Sequence, residues 1–360
     1  MQSTDLNSLL RVVVAREASD LYLTTGSPPQ IRVEGVVENL PLPPLQVGEV
    51  RAMAYAAMGP EATADFERTL EWNLAYAPAD VGRFRVNVYQ QRREIGLVAR
   101  SIKGWVPDFE RLGLPETVRE LAVLPRGLIL VIGSSGSGKT TTLASMVDYR
   151  AKHMTGHILT IEDPIEYLFA HGLSTVDQRE VGVDTRSFGD ALRNAMRQSP
   201  DMIMVGEVRD RETMQQAIAY AETGHLCVTT LHAANASQAI KRILNFFPES
   251  AHAQLLVDLS INLRAVIAQR LLPGLSRKRV LATEVLLQSA RVSDLIERGE
   301  VNSLRQALEK TSNMGTHSFD QSLLDLYRRG LVDQEVALAN ADSRTDLGLR
   351  MRLHSSQDPH

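Results

Sequence analysis

The chain has 360 residues, a length that favours two or three domains at roughly 100–200 residues per domain. Hydrophobic residues make up 44% of it and charged residues 23%, which excludes disordered, collagen-like and fibrous classes. Lys plus Arg number 39 and Asp plus Glu 43, and the resulting net charge of -4 argues against a protein that coats nucleic acid or an anionic membrane.

The single cysteine, Cys227, excludes an intrachain disulfide and a cysteine-built zinc site, and it suits a reducing cytosol. The N-terminal residues lack the basic start and apolar segment of a secretory signal. No stretch reaches the ~18 apolar residues that a membrane span requires. We therefore expect a cytoplasmic protein without direct membrane insertion, which reaches a membrane only through a partner.

The first predicted element is an amphipathic helix, because apolar residues recur at helical spacing from Leu6 to Val13, with Ser3 or Thr4 placed to cap it. Turn residues separate the segments that follow this helix. Two short strands are expected there, Asp20–Thr24 and Gln30–Val33.

The segment Gly82–Tyr89 alternates apolar and polar residues and predicts a half-buried strand with Arg83 and Arg85 on its exposed face. Ile95–Ser101 is its expected partner strand, with Arg100 reaching the same side. Residues 1–103 are therefore predicted to form a small α+β domain, and the turn-rich residues 104–120 a linker.

In residues 121–290 apolar strands alternate with amphipathic helices, a pattern typical of an α/β fold in which helices cover a parallel sheet. The predicted strands are Leu128–Ile132, His157–Ile161, Met202–Val205, His225–Thr230 and Arg279–Leu287. The predicted helices are Lys139–Lys152, Phe188–Arg197, Arg211–Ala221 with Asp210 as N-cap, and Ala251–Ala268. Residues 291–345 read as a helical C-terminal region and residues 346–360 as a polar tail, with the chain partly loose from Asp342 onward.

A phosphate-binding loop is predicted after the first of these strands, where the sequence matches G-x-x-x-x-G-K-[ST] and then opens a helix. Small residues let backbone N–H groups surround phosphate oxygens, and the helix adds its positive end. Lys139 supplies a charge for the terminal phosphates and Thr140 a hydroxyl for Mg²⁺. The candidate ATP-binding residues are Gly133, Ser134, Ser135, Gly136, Ser137, Gly138, Lys139, Thr140 and Thr141.

Two acidic segments follow predicted strands and are placed to act on water near a terminal phosphate. They are Glu162-Asp163-Pro164-Ile165-Glu166 and Gly206-Glu207-Val208-Arg209-Asp210. His232, past the end of another strand, is placed to sense the same phosphate. Solvated loops, a helix cap at Asp210 and a structural histidine are the alternatives for these groups.

Exposed arginines are candidates for arginine fingers, which reach a nucleotide held by a neighbouring subunit and offset charge in the transition state. Surface solvation or ordinary ion pairing is the alternative for any one of them. The candidates are Arg83, Arg85 and Arg100 in the first domain and Arg197, Arg209 and Arg242 in the second.

Together these motifs closely resemble the type IV pilus retraction ATPases, the PilT/PilU family of the secretion ATPase superfamily, over nearly the whole chain. Glu162–Glu166 is similar to the family's Asp box, Val205–Asp210 to its Walker B signature, and Thr230–His232 to its His box. The resemblance also includes Gly82–Asn87 and Gln269–Pro273.

The resemblance implies a PAS-like N-terminal domain, a RecA-like P-loop ATPase domain and a hexameric ring in the cytoplasm at the base of the pilus machine. It implies that Glu166 matches the Asp-box glutamate that acts on water, that Glu207 matches the Walker B glutamate, and that ATP with Mg²⁺ is the cofactor. Its implied partners are an inner-membrane platform protein and a PilT-type retraction ATPase.

The resemblance favours retraction over assembly, because one cysteine excludes the four-cysteine zinc module usual in assembly members. The stretch Ala290–Arg298 and the longer tail are similar to the accessory, PilU-type branch. The leading prediction is a motor that hydrolyses ATP for twitching motility. Two alternatives are an accessory ring with little turnover of its own, and a nucleic-acid translocase, which the net charge of -4 and the 5% aromatic content disfavour.

Overall fold

The computed structural model describes residues 5–33, 35–102, 104–276, 278–310 and 315–355. These residues form two compact units. The first unit is Met1–Trp105 with Glu166–Leu168, and the second is Val106–Ile165 with Phe169–His360. Among the described residues no helix has the length and apolar character needed to cross a membrane.

The first unit is an antiparallel sheet with helices packed on it. Its strands lie in the order β3-β2-β1-β6-β5-β4. Its elements in chain order are α1 (Leu6–Ala15), β1 (Asp20–Thr24), β2 (Gln30–Val33), β3 (Val36–Asn39), α2 (Glu49–Thr69), β4 (Glu71–Tyr76), β5 (Arg83–Gln91) and β6 (Glu94–Ile102).

Local sequence explains these elements. Asp5 caps α1 by accepting the Ser8 amide at 2.7 Å, whereas the predicted caps, Ser3 and Thr4, lie outside the described residues. In β5 the apolar side chains from Phe84 to Val88 are buried and alternate with polar ones, as the period of two predicts. The elements α2, β3 and β4 are absent from the sequence prediction. For α2 the reason is that it contains Gly59 and Pro60, which interrupt helical periodicity.

The second unit is built on a seven-stranded sheet in the order β13-β12-β7-β11-β10-β8-β9, parallel except for β13. Its first elements are α3 (Phe109–Leu112), α4 (Glu116–Ala122), β7 (Gly127–Gly133), α5 (Lys139–His153), β8 (Gly156–Glu162), β9 (Ser174–Glu180), α6 (Phe188–Ala195), β10 (Met202–Val205) and α7 (Arg211–Glu222). They continue with β11 (Leu226–Leu231), α8 (Ala236–Asn245), α9 (His252–Asn262), β12 (Leu263–Pro273), β13 (Arg279–Leu287), α10 (Ala290–Glu297), α11 (Leu304–Lys310), α12 (Phe319–Arg328), α13 (Gln334–Ala339) and α14 (Arg344–Ser355).

Both faces of the sheet are buried, which explains the uninterrupted apolar run in β7. Leu128, Leu130 and Ile132 point into one core, and Ile129 and Val131 into the core on the opposite face. Because β7, β11 and β10 are neighbouring parallel strands, their C-terminal ends lie side by side at one edge of the sheet. Segments that follow these strands are brought together there.

Three expectations differ from the structure. Residues 263–268, predicted as helix, belong to β12, since apolar periodicity cannot separate a fully buried strand from a buried helix. The predicted linker, residues 104–120, contains α3 and part of α4, which bury Phe109 and Val118 in the second unit. Residues 344–355, in the stretch expected to be partly loose, form α14 and bury Leu347 and Met351 one turn apart, while residues 356–360 of the predicted tail lie outside the described residues.

Cys227 lies in β11 with no exposed surface, and burial raises the pKa of its thiol to about 12. Because the thiolate is the reactive form, we expect no reaction with a thiol reagent at pH 8 in the native protein. Unfolding in guanidinium should release one reactive thiol per chain. Absorbance from a disulfide reagent measures both states, and stoichiometric labelling without denaturant would contradict the buried position of this strand.

Candidate functional site

The loop between β7 and α5 has the backbone that a phosphate cradle requires. Gly133 and Gly138 have φ angles of 154° and 92°, a region that residues other than glycine rarely adopt. A Cβ atom on Gly133 would collide with the Ser137 hydroxyl and the Gln269 carbonyl oxygen. The loop therefore needs glycine both for its turns and for the close approach of neighbouring groups.

Lys139 is the first residue of α5, and its ammonium group folds back over this loop. Its Nζ donates to the carbonyl oxygens of Gly133 at 3.0 Å and Ser134 at 2.9 Å. Burial lowers the pKa of this ammonium group, while the negative charge of Glu207 raises it. The loop thus carries a partly buried positive charge, with the carboxylate of Glu207 near enough to act on it.

Glu207 and His232 meet where two neighbouring parallel strands end. Gly206 follows β10 and accepts the Thr230 hydroxyl at 2.7 Å, while the Val208 amide donates to the Thr230 carbonyl at 3.0 Å. These bonds bring the two strand ends together. The His232 Nε2 atom lies 3.0 Å from Glu207 Oε1.

The other oxygen of Glu207 is held by an arginine from its own loop. Arg209 Nε donates to Glu207 Oε2 at 2.7 Å, and Arg209 Nη1 lies 3.6 Å from Asp163 Oδ2. The hydrogen bond to Glu207 is the main reason that the pKa of Arg209 is raised. Arg209, one of the arginines considered for a neighbouring subunit, therefore binds carboxylates of its own unit.

Strand β8 ends in the first acidic segment beside the same edge. Glu162 is buried and accepts the Thr160 hydroxyl at 2.8 Å and the Gln178 amide at 3.1 Å. Asp163 is more exposed and faces Arg209. Glu162 therefore has a structural role, whereas the carboxylates of Asp163 and Glu207 both face the guanidinium group of Arg209.

Gln269 is a residue of this site whose contact the motifs do not predict. It lies in β12 opposite Gly133, and its Nε2 atom donates to the Thr142 hydroxyl at 2.7 Å. Its Oε1 and the Ser137 hydroxyl are both buried without a hydrogen-bond partner among the described residues. The signal in the sequence is a buried amide directly after the apolar run 265–268, and it becomes informative only when β12 is placed beside β7.

Of the remaining candidates, Arg197 follows α6 and Arg242 lies in α8 over the Phe246 ring, both in the second unit, whereas the others belong to the first unit. Arg83 and Arg85 lie on the same face of β5, and Arg85 is directly opposite Arg100 in β6. Arg100 Nε donates to Asp20 Oδ1 at 2.9 Å, and this bond, together with the charges of Asp20 and Glu166, raises the pKa of Arg100. The structure thus gathers three arginines on one sheet and groups Glu166 with them in this unit.

Comparison with known proteins gives a consistent result over most of the chain. A family model described as "Type II/IV secretion system protein" matches residues 97–322. The type IV pilus ATPase PilU of Pseudomonas aeruginosa is 46% identical over 98% of this chain and 93% of its own length. The retraction ATPase PilT of the same organism is 41% identical over 94% of this chain and 98% of its own length. A crystal structure of the pilus retraction motor PilT with bound ADP superposes with a TM-score of 0.90 at 39% identity, over 96% of this chain and 99% of that one.

Proposed function

The chain belongs to the type II/IV secretion system protein family, as an ATPase of the pilus retraction branch, and from this premise we propose that it is a hexameric motor for pilus retraction. The family predicted from the motifs is confirmed, as is the fold class of a small α+β domain, a RecA-like P-loop domain and C-terminal helices. The observation that carries the proposal is the convergence of Lys139, Glu207 and His232 at one sheet edge.

In the proposed site ATP lies with its phosphates in the loop from Gly133 to Thr141. Lys139 turns from the loop carbonyls to the terminal phosphates, because a charged phosphate oxygen is a stronger acceptor than a neutral carbonyl. Glu207 orients and deprotonates the attacking water. His232 senses the terminal phosphate, and its contact with Glu207 couples the two groups. Glu166, in the Asp-box segment, is proposed to assist with the water.

The described residues fit a magnesium ion brought in with the nucleotide. Thr140 is half-buried near the start of α5, where its hydroxyl would hold the ion together with phosphate oxygens. The buried, unpartnered Ser137 hydroxyl leaves a further polar atom at the loop. Mg²⁺ normally keeps several waters and takes only one or two protein ligands. Its chemistry here would be to neutralise charge on the phosphates.

Mechanical work is proposed to arise when nucleotide binding and hydrolysis change the angle between the two domains around the ring. An inner-membrane platform protein would receive the motion in the cytoplasm, at the base of the pilus. Similarity to PilU favours a chain that acts with a PilT-type ATPase. The second candidate function is therefore an accessory ring with little turnover of its own.

The experiment that separates motor from accessory ring is complementation of twitching in a strain that lacks this chain. Glu207→Gln should fail to restore twitching if turnover at this site does the work, whereas the wild-type chain restores it. Glu335→Gln, an exposed change in α13, is the matched control and should also restore it. Full twitching with Glu207→Gln would assign the chain to the accessory role.

We propose that Arg83, Arg85 and Arg100 complete the nucleotide site of a neighbouring subunit, and mixing two inactive variants tests this. The Arg83→Ala, Arg85→Ala double variant keeps its loop and Glu207, and Glu207→Gln keeps its arginines. Mixed equally before assembly, they should regain about a quarter of wild-type turnover, because one interface in four has both intact parts. A mixture no more active than either variant alone would show that these arginines do not act between subunits.

A further inference from the structure

Glu284 is a buried carboxylate that the proposed site does not use. It lies in β13, opposite Ala268 of β12, and only 3% of its surface is exposed. Its neighbours on the same face of the strand, Ala282 and Leu286, are buried in the apolar core. A carboxylate in such surroundings is costly unless hydrogen bonds compensate for lost water, so its presence calls for a partner.

The partner is the first residue of α8. The Ala236 amide donates to Glu284 Oε1 at 2.9 Å. The first amides of a helix have no acceptor within the helix, and Ala236 is fully buried, so water cannot replace this acceptor. Burial raises the pKa of Glu284 to about 7, whereas the bond to Ala236 lowers it and so favours the charged form.

The segment that Glu284 holds is the one that carries His232. Strand β11 ends at Leu231 and α8 begins at Ala236, which leaves four residues, 232–235, between them. The near end is fixed by the bond from the Thr230 hydroxyl to Gly206 at 2.7 Å, and the far end by Glu284. The His232 side chain is 41% exposed, so the backbone of this short segment largely determines where its ring lies.

We propose that Glu284 is a positioning residue, which holds the start of α8 so that His232 stays in contact with Glu207. This inference rests on the proposed function, in which the pair of His232 and Glu207 takes part in ATP hydrolysis. Glu284 does not touch the reacting groups itself. It acts through the backbone of residues 232–236.

The C-terminal helices contribute to the charge of Glu284. Arg270 and Arg305 lower the pKa of Glu284, and Asp342 raises it. Arg270 is itself held by Asp342 at 2.7 Å and by the Asn340 carbonyl oxygen at 2.5 Å, and its guanidinium lies 3.8 Å from the centre of the Phe319 ring. The helices from α12 to α14 thus place a cation near the carboxylate that anchors α8.

A matched pair of variants separates the effect of the hydrogen bond from the effects of the charge and volume of the side chain. Glu284→Gln keeps an acceptor for the Ala236 amide, and Glu284→Leu fills a similar space without one. Glu284→Leu is expected to lower kcat about tenfold, the usual scale for a buried donor left unsatisfied, with KM for ATP changed less than about twofold. Glu284→Gln should stay within about threefold of wild type. Equal losses in the two variants, or wild-type kcat in Glu284→Leu, would overturn the proposal.

The same hydrogen bond can also be removed by changing its donor, the Ala236 amide. Ala236→Pro lacks the donor, and proline suits the first position of a helix after the extended Asn235. The double variant Ala236→Pro, Glu284→Leu should lose no more kcat than the single variants, because they remove one interaction. In a His232→Ala background, Glu284→Leu should have no further effect. Additive losses in either cycle would contradict positioning through this segment.

Hydrogen exchange tests the placement without reference to activity. In Glu284→Leu, amides of residues 232–236 should exchange about tenfold faster than in wild type, with β10 unchanged. Unchanged protection in the segment would overturn the proposal even if kcat fell. If the wild-type chain shows no turnover above Lys139→Ala, the proposed function fails, and the exchange result still decides whether Glu284 holds the segment.

Discussion

ATP turnover by Glu207→Gln is expected to fall by about three orders of magnitude, the range for loss of a positioned general base. Nucleotide affinity should be nearly unchanged, because Glu207 lies beyond the loop that holds the phosphates. The amide keeps an oxygen that can accept from one of Arg209 and His232, so the local fold should survive. Phosphate release measures turnover, and fluorescence of a labelled ATP analogue measures binding.

Glu335→Gln is the control for this change, since it removes one carboxylate from an exposed position in α13. It should leave both turnover and binding at the wild-type level. Turnover in Glu207→Gln within a few fold of wild type would remove this glutamate from the mechanism. Loss of nucleotide binding together with turnover would instead place Glu207 in the cradle itself.

Lys139→Ala is expected to weaken ATP binding by about 100-fold and to reduce turnover to background, because charge-assisted hydrogen bonds to the terminal phosphates are lost. The variant should not be less stable than wild type, since it removes an ammonium group whose pKa burial already lowers. Isothermal titration gives the affinity, and the thermal midpoint without nucleotide gives the stability.

Lys152→Ala is the matched control in the same helix. Lys152 lies in the last turn of α5, and its exposed ammonium group pairs with Asp148 at 2.6 Å. Exposed pairs of this kind contribute about 0–1 kcal/mol, so affinity and turnover should stay at wild-type values. Wild-type ATP affinity in Lys139→Ala would show that the loop binds nucleotide without this lysine, contrary to the proposed role.

Much of the second unit could be predicted because its local signals agree. The strand Met202–Val205 matches its predicted bounds, since a short apolar run lies between Pro200-Asp201 and Gly206. The conformation of the loop from Gly133 to Lys139 could be predicted because the motif itself requires it. Helix α7 begins after Asp210, which accepts the Thr213 amide at 2.8 Å as the predicted cap.

Other features depend on contacts that local patterns do not contain. Residues 265–268 of β12 are apolar and buried on both faces, and only the pairing of this strand with β7 distinguishes them from a helix. Arg209 could have been solvated or directed to a neighbour, and its binding to Glu207 follows from the turn after β10. The bond from Ala236 to Glu284 joins residues 48 apart in the chain, which motif reading does not connect. The roles assigned to the site residues stay predictions until the variants are measured.

The most direct test of the central claim is ATP turnover by the purified chain over a concentration series, with particle mass measured at each point and Lys139→Ala as the blank. We predict that turnover per subunit rises as a six-subunit species forms, because the proposed arginines complete each site across an interface. A six-subunit species that binds ATP but stays at the level of the blank would contradict a motor that works through its own hydrolysis, and would identify an accessory ring.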